Sequence, residues 1–174
     1  MVFGANYMYS SYYTMMSNID QKQDFSMLGP MHTILSGLKG LWTNLVYEGA
    51  KVIRECCGAA GFSAYAGFIT VIDAVSAYVT LEGDSVVMYL QTARALLKSG
   101  RKAISTGKPL NKMLEYIGDI KVLMEQKGNF KCLAKSLDDM RDEKFLLDLL
   151  KWNALIRIGK CLQLFADPQY KDFS

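Results

Sequence analysis

Hydrophobic positions recur at spacings of three and four along most of this chain, the period of an amphipathic helix. In the first segment, Phe3, Tyr7, Met8, Ser11, Tyr12, Met15 and Ile19 form one stripe. Tyr9, Tyr13 and Met16 occupy the other face, and a helix apolar on both sides is normally buried between neighbours. After the linker QKQDFSMLGP, Pro30 opens a long predicted helix reaching about Ala59. Ile34, Leu35, Leu38, Leu41, Trp42, Leu45, Val46, Ile53 and Cys57 recur on one of its sides. Gly37, Gly40 and Gly49 inside it each cost roughly 1 kcal/mol of helix stability relative to alanine. Glycines retained at that cost imply that another backbone or a ligand approaches closely.

Gly58 and Gly61 are expected to end this helix. The run FITVIDAVSAYVTL that follows is rich in β-branched residues, as a strand would be. No second strand is available to pair with it, so helix and irregular turns are expected. Asp84 or Ser85 caps the next helix, Val86 to Ser99, which Gly100 is expected to end, with Val87, Leu90, Arg94 and Leu97 on one face. Pro109 begins a helix over about Leu110 to Gln126, Lys127 to Asn129 break it, and a short segment spans Lys131 to Leu137. The last helix runs from about Asp142 to Phe165 until Pro168 stops it. Its stripe is Leu146, Leu149, Leu150, Asn153, Leu155, Ile156, Ile158 and Leu162. The expected fold class is all-α, a helical bundle.

Composition narrows the function classes. Hydrophobic residues make up 51% of the 174 residues, a slight excess that must be buried in a core or against a partner. The net charge is +3 and the basic residues are scattered, so no nucleic-acid partner is expected. The densest basic group, Lys98, Arg101, Lys102 and Lys108, is expected to follow a helix end and complement its dipole. Cys56, Cys57, Cys132 and Cys161 show no CxxC spacing and His32 is the single histidine, so no metal site is expected. The cysteines read as small buried hydrophobes, and His32 as a capping or core residue. No Ser/His/Asp hydrolase arrangement is expected around this one histidine.

No uninterrupted apolar window reaches the roughly 18 to 20 residues of a membrane span. The most apolar region, Ala64 to Leu81, is broken by Thr70, Asp73 and Ser76. The first twenty residues lack Lys and Arg, so neither a secretory leader nor an arginine-rich transit peptide is expected there. The final KDFS is not a peroxisomal tripeptide.

Glu82 is the residue whose surroundings point to chemistry. Gly83 permits a tight turn and Asp84 or Ser85 caps the following helix, so Glu82 sits at a helix N-terminus with its own N–H free to point outward. A carboxylate beside such a donor can act as a base toward a carbon acid whose carbonyl rests on the N–H. The alternative reading is that Glu82 only caps the helix or pairs with Arg94. Likewise, Gly58 and Gly61 serve only to end a helix on the alternative view.

Several ordered motifs resemble a known family. Cys57-Gly58-Ala59-Ala60-Gly61-Phe62-Ser63 is followed by Thr80-Leu81-Glu82-Gly83-Asp84 and Leu90-Gln91-Thr92-Ala93-Arg94, and preceded by MHTILSGLKG at Met31 to Gly40. Together they look like the C-terminal α-domain of acyl-CoA oxidases, within the acyl-CoA dehydrogenase superfamily. Phe145 to Ile158 resembles the opening helix of the family's last domain. The resemblance implies a bundle over 1–140 and, over 141–174, a single helix from the start of that last domain.

It also implies roles. Glu82 matches the base that removes the α-proton of a fatty acyl-CoA while a hydride passes to FAD, which oxygen then reoxidises. Gly58, Gly61, Gly83, Asp84 and Ser85 match segments that lie against FAD, partly across a dimer interface. The sequence departs from the family's usual pattern at Ala59, Ala60, Phe62, Leu81 and near Ser85, and the family's other domains, which complete the flavin pocket, are expected to be absent. The leading expectation is therefore a non-catalytic structural subunit of a larger assembly, with mitochondrion favoured as its compartment and no cofactor on this chain alone. The alternative is part of an FAD-dependent acyl-CoA oxidase of fatty-acid β-oxidation, with Glu82 as base and the peroxisome as compartment. Expected partners are other protein subunits or a second copy of the bundle.

Overall fold

A computed structural model describes residues 2–106, 112–125, 134, 136 and 138–166. They form the α-helices α1 (Val2–Lys22), α2 (Leu28–Cys56), α3 (Phe68–Thr80), α4 (Ser85–Thr106), α5 (Ile120–Glu125) and α6 (Glu143–Ala166), with four 3-10 turns and no strand among the described residues. The all-α expectation holds, and FITVIDAVSAYVTL is helical, as α3. The chain divides into two compact units, Met1–Arg94 and Ala95–Ser174. The division falls inside α4.

In the first unit, the linker before α2 turns at Gln23, whose φ is 51°, and Asp24 Oδ1 accepts the Ser26 N–H at 2.9 Å. α2 begins at Leu28, two residues before Pro30. Proline is tolerated there because the first turn's N–H groups have no intrahelical acceptor. Met31, Thr33, Ser36 and Gly40 are the buried positions of α2, which packs against α3. The interior glycines divide by role. A Cβ on Gly37 would meet Thr92 Oγ1 at 3.3 Å and one on Gly40 would meet Tyr89 Cε1 at 2.9 Å, so the expected close approach is made there by side chains of α4. Gly49 has nothing within 4 Å and does not share that reason.

Several local expectations are corrected. α2 ends at Cys56, where the Cys57 N–H turns back to the Arg54 carbonyl at 3.1 Å, and Gly58 (φ 56°) then diverts the chain into the 3-10 turn Gly58–Phe62. On α1, Met8 and Met15 are buried, whereas Tyr7, Tyr9, Tyr12, Tyr13 and Met16 are exposed, so only one face is covered in this chain. Tyr9 and Tyr13 share a hydrogen bond at 3.0 Å across one turn instead. His32 is exposed, as are the free thiols of Cys56, Cys57 and Cys161; neither the core role for His32 nor the buried role for these cysteines holds.

The second unit has its own core: Ala103, Leu114, Ile117, Ile120, Leu123, Leu155, Ile158 and Leu162. Gly100 does not end α4. A Cβ there would lie 3.0 Å from Leu162 Cδ1 and 3.2 Å from Ile158 Cγ2, so the glycine lets α6 side chains reach the helix surface while α4 continues. Arg101 and Lys102 consequently sit within α4 and not beyond its end. The segment expected as one helix to Gln126 is a 3-10 turn, Lys112–Asp119, followed by the short α5. In that 3-10 turn Leu114 and Ile117 are three apart and eclipse on one face, which is buried. Asp142 caps α6, its Oδ1 accepting the Lys144 N–H at 3.1 Å. The stripe of α6 is buried only in its later half, because Leu146 and Leu150 are exposed. Lys108, Pro109, Leu110, Gln126 to Leu133 and Pro168 lie outside the described residues, and with them the expectations that fall there.

Candidate functional site

α3 ends at Thr80, and Leu81 leaves it extended with its N–H still bonded to the Ala77 carbonyl at 2.8 Å. Two left-handed residues follow in succession, Glu82 at φ 55° and Gly83 at φ 105°. A glutamate in that region costs about 1 to 2 kcal/mol, since its Cβ crowds the carbonyl, so its neighbours must hold it there. Gly83 is required by its φ of 105°; an added Cβ would also lie 2.5 Å from Met88 Cε, the end of a flexible side chain that would have to swing aside. The cap left open between two residues belongs to Asp84, whose Oδ1 accepts the Val86 N–H at 2.8 Å and whose carbonyl accepts the Met88 N–H at 2.9 Å. Ser85 is the first residue of α4 and is buried; its hydroxyl donates back to the Val79 carbonyl at 3.2 Å.

Glu82 is exposed, and among the described residues neither its carboxylate nor its N–H has a hydrogen-bond or ion-pair partner. It neither caps α4 nor meets Arg94. A carboxylate with an adjacent unused N–H is the pair of groups needed to take a proton from carbon next to a carbonyl and to bind the oxygen that becomes negative.

One contributor was missed by sequence reasoning. Lys39 of α2 donates from Nζ to the Val79 carbonyl at 3.3 Å and to the Gly83 carbonyl. The available signal was its place between Gly37 and Gly40, the two positions where α4 side chains come closest to α2. Thr92 completes the same seam, its Oγ1 lying 3.1 Å from the Thr33 carbonyl. Trp42 and Thr43, one turn along α2 from Lys39, line with Val46, Val75 and Tyr78 an apolar cavity of about 140 Å³ between α2 and α3.

Gly58 and Gly61 are not brought to this turn. Lys39 touches Gly83, and Cys56 lies seventeen residues further along α2, roughly 25 Å away at the α-helical rise. The two glycines also differ. Gly58 has open space where a Cβ would be, as a backbone meant to approach a ligand should, whereas a Cβ on Gly61 would overlap the Arg54 carbonyl, so Gly61 serves local packing. Arg54 stacks its guanidinium 4.3 Å from the Phe62 ring, whose other side faces outward. Of the residues expected to hold FAD, Gly58 fits as open backbone. The side chains of Asp84 and Ser85 are engaged within the chain, which leaves only their backbones for a cofactor. Among the described residues no helix is long and apolar enough to cross a membrane.

Comparison with known proteins shows the family and the fold. Residues 1–97 match the family model described as "Acyl-CoA oxidase, C-alpha1 domain". The chain is 38% identical over 101 residues to peroxisomal acyl-coenzyme A oxidase 2 of Rattus norvegicus, covering 55% of this chain and 15% of that protein. It is 32% identical over 118 residues to peroxisomal acyl-coenzyme A oxidase 1 of Homo sapiens, covering 68% of this chain and 18% of the relative. The solved structure of Arabidopsis thaliana acyl-CoA oxidase 1 superposes with a TM-score of 0.84 at 22% identity, covering 95% of this chain and 24% of that one; it shows the same fold. The chain thus spans less than a fifth of the length of the curated relatives it matches.

Proposed function

Because the chain belongs to the acyl-CoA oxidase C-alpha1 domain family, we propose that it is part of an FAD-dependent acyl-CoA oxidase of fatty-acid β-oxidation in which Glu82 is the base. The observation that carries this reading is the Glu82 turn: an exposed, unpaired carboxylate in a left-handed conformation, ahead of a capped helix and inside the matched segment. Glu82 takes the α-proton of the acyl thioester onto its carboxylate. Its unused N–H donates to the thioester oxygen as charge develops there. The chemistry that a bound FAD would supply is that of an acceptor for the β-hydride, with oxygen as the final oxidant. The backbones at Gly58 and Gly83 are this chain's contributions to holding the flavin, and the apolar cavity beside Trp42 and Tyr78 suits the methylene chain of the substrate.

The separation of Gly58 from Glu82 along α2 supports a two-copy arrangement, in which the glycine loop of one copy serves the flavin of another. The likeness to proteins named as oxidases supports this reading over a non-catalytic subunit. Their description as peroxisomal supports that compartment over the mitochondrion.

The test is to isolate the protein natively, record its flavin absorbance, and add a fatty acyl-CoA without oxygen. Stoichiometric flavin that bleaches, with bleaching slowed by roughly 10²- to 10⁴-fold in Glu82→Gln, is the expected result. A flavin-free complex, or bleaching at the wild-type rate in Glu82→Gln, would overturn it.

A further inference from the structure

Holding a glutamate at φ 55° requires restraint on both sides of it, and the structure shows where the restraint comes from. Val79 belongs to the last turn of α3, whose carbonyls have no intrahelical donor and carry the negative end of the helix dipole. Gly83 lies just after Glu82. One ammonium group, that of Lys39, donates to both carbonyls and so ties the two flanks of the turn to the middle of α2.

Nothing on α2 competes for this charge. The residues one turn away, Leu35, Ser36, Trp42 and Thr43, include no carboxylate, and the lysine forms no ion pair among the described residues. The side chain is partly buried, so its protons are committed to the turn and only in part to water. Ser85 adds a second donor to the Val79 carbonyl from the α4 side.

We propose that Lys39 is the positioning residue of the Glu82 turn, fastening the carbonyls of Val79 and Gly83 so that the carboxylate and N–H of residue 82 are presented in one fixed orientation. Its catalytic consequence rests on the reading of Glu82 as the base; its structural consequence does not. Without the ammonium, the two carbonyls lose their shared donor, residue 82 relaxes out of the left-handed region, and the base leaves its geometry while substrate binding elsewhere persists.

The experiment measures amide hydrogen exchange in the full chain for Lys39→Met, which keeps the length and loses the donors, Lys39→Arg, which keeps donors, and Glu82→Gln. Exchange over residues 79–86 is expected to rise roughly tenfold in Lys39→Met, with Leu155–Leu162 unchanged, and to stay within about twofold of wild type in Lys39→Arg. Glu82→Gln should leave exchange unaltered. An unchanged 79–86 segment in Lys39→Met, or a loss in Lys39→Arg equal to that in Lys39→Met, overturns the proposal. If Lys39→Met does not fold, Lys39→Gln, whose amide donors sit on a shorter, uncharged side chain, takes its place and is expected to fall between wild type and full release.

In the flavin-loaded protein, Lys39→Met is expected to lower kcat about tenfold or more with KM within about twofold. An unaltered kcat overturns the catalytic half. Should Glu82→Gln retain full activity while Lys39→Met still loosens the turn, the base assignment fails and the clamp stands.

Discussion

The ring of Tyr89 lies across Gly40, with Cε1 2.9 Å and Cζ 3.0 Å from where a Cβ would stand. The glycine is therefore the contact at which α4 closes on α2, one residue from the lysine that reaches the Glu82 turn. Gly40→Ala is expected to destabilise the first unit by about 1 to 2 kcal/mol, since the half-exposed ring can shift only at the expense of its packing. Gly49→Ala, with no neighbour within 4 Å, should instead stabilise by up to about 1 kcal/mol through helix propensity. Urea unfolding of both variants checks the difference in sign.

Gly83→Ala combines a φ of 105° with a Met88 Cε at 2.5 Å. The Met88 methyl, at the end of a flexible side chain, can swing aside, whereas the backbone strain must be relieved by moving the turn, at about 1 to 3 kcal/mol. Met88→Ala introduced alongside removes the overlap but not the backbone strain, so recovery of stability should be partial. Thermal unfolding of the single and double variants separates the two contributions.

The linker between α1 and α2 carries a pH-dependent contribution. The Ser26 backbone N–H, then its side chain, hold the Asp24 carboxyl below its ordinary 3.8, and the charge of Lys22 lowers it further. A lowered native value means that the contribution of Asp24 is present above about 3.8 and is lost as pH falls through the native value. In a carboxyl NMR titration Asp24 should titrate below 3.8, and Ser26→Ala should restore only part of the shift because the N–H remains. Titration of wild type at the ordinary value would contradict the linker geometry.

Leu155 is 1% exposed and Leu150 is 65% exposed, although both belong to the stripe that the sequence places on one side of α6. Leu155→Ala should cost about 2 to 5 kcal/mol and Leu150→Ala within about 0.5 kcal/mol. Equal costs would mean that the core of the second unit is not the one described.

Periodicity located the helices well because the 3.6-residue repeat is a local property. α1 and α6 end within a few residues of expectation, and the Glu82 turn was legible because Gly-Asp-Ser after an apolar run is turn and cap chemistry. Glycines were less legible. Gly58, Gly61 and Gly100 all read as helix terminators; Gly58 does stand at the end of α2, just after the Cys57 cap with φ 56°, whereas Gly61 packs on the Arg54 carbonyl and Gly100 lies mid-helix under Leu162 and Ile158. A glycine breaks a helix only where nothing favours continuing it, and the surrounding packing is not written beside it.

The sequence by itself determined an all-α chain, the position of Glu82 between a helix end and a helix cap, and the family it belongs to, because these depend on residues close together in the chain. Only the tertiary structure decided that Gly37 and Gly40 receive side chains of α4, that half the α6 stripe stays exposed, and that Lys39 and Ser85 converge on the Val79 carbonyl. Lys39 and Gly83 are 44 residues apart. No local propensity encodes a hydrogen bond across that distance; it exists because α2, α3 and α4 pack as they do.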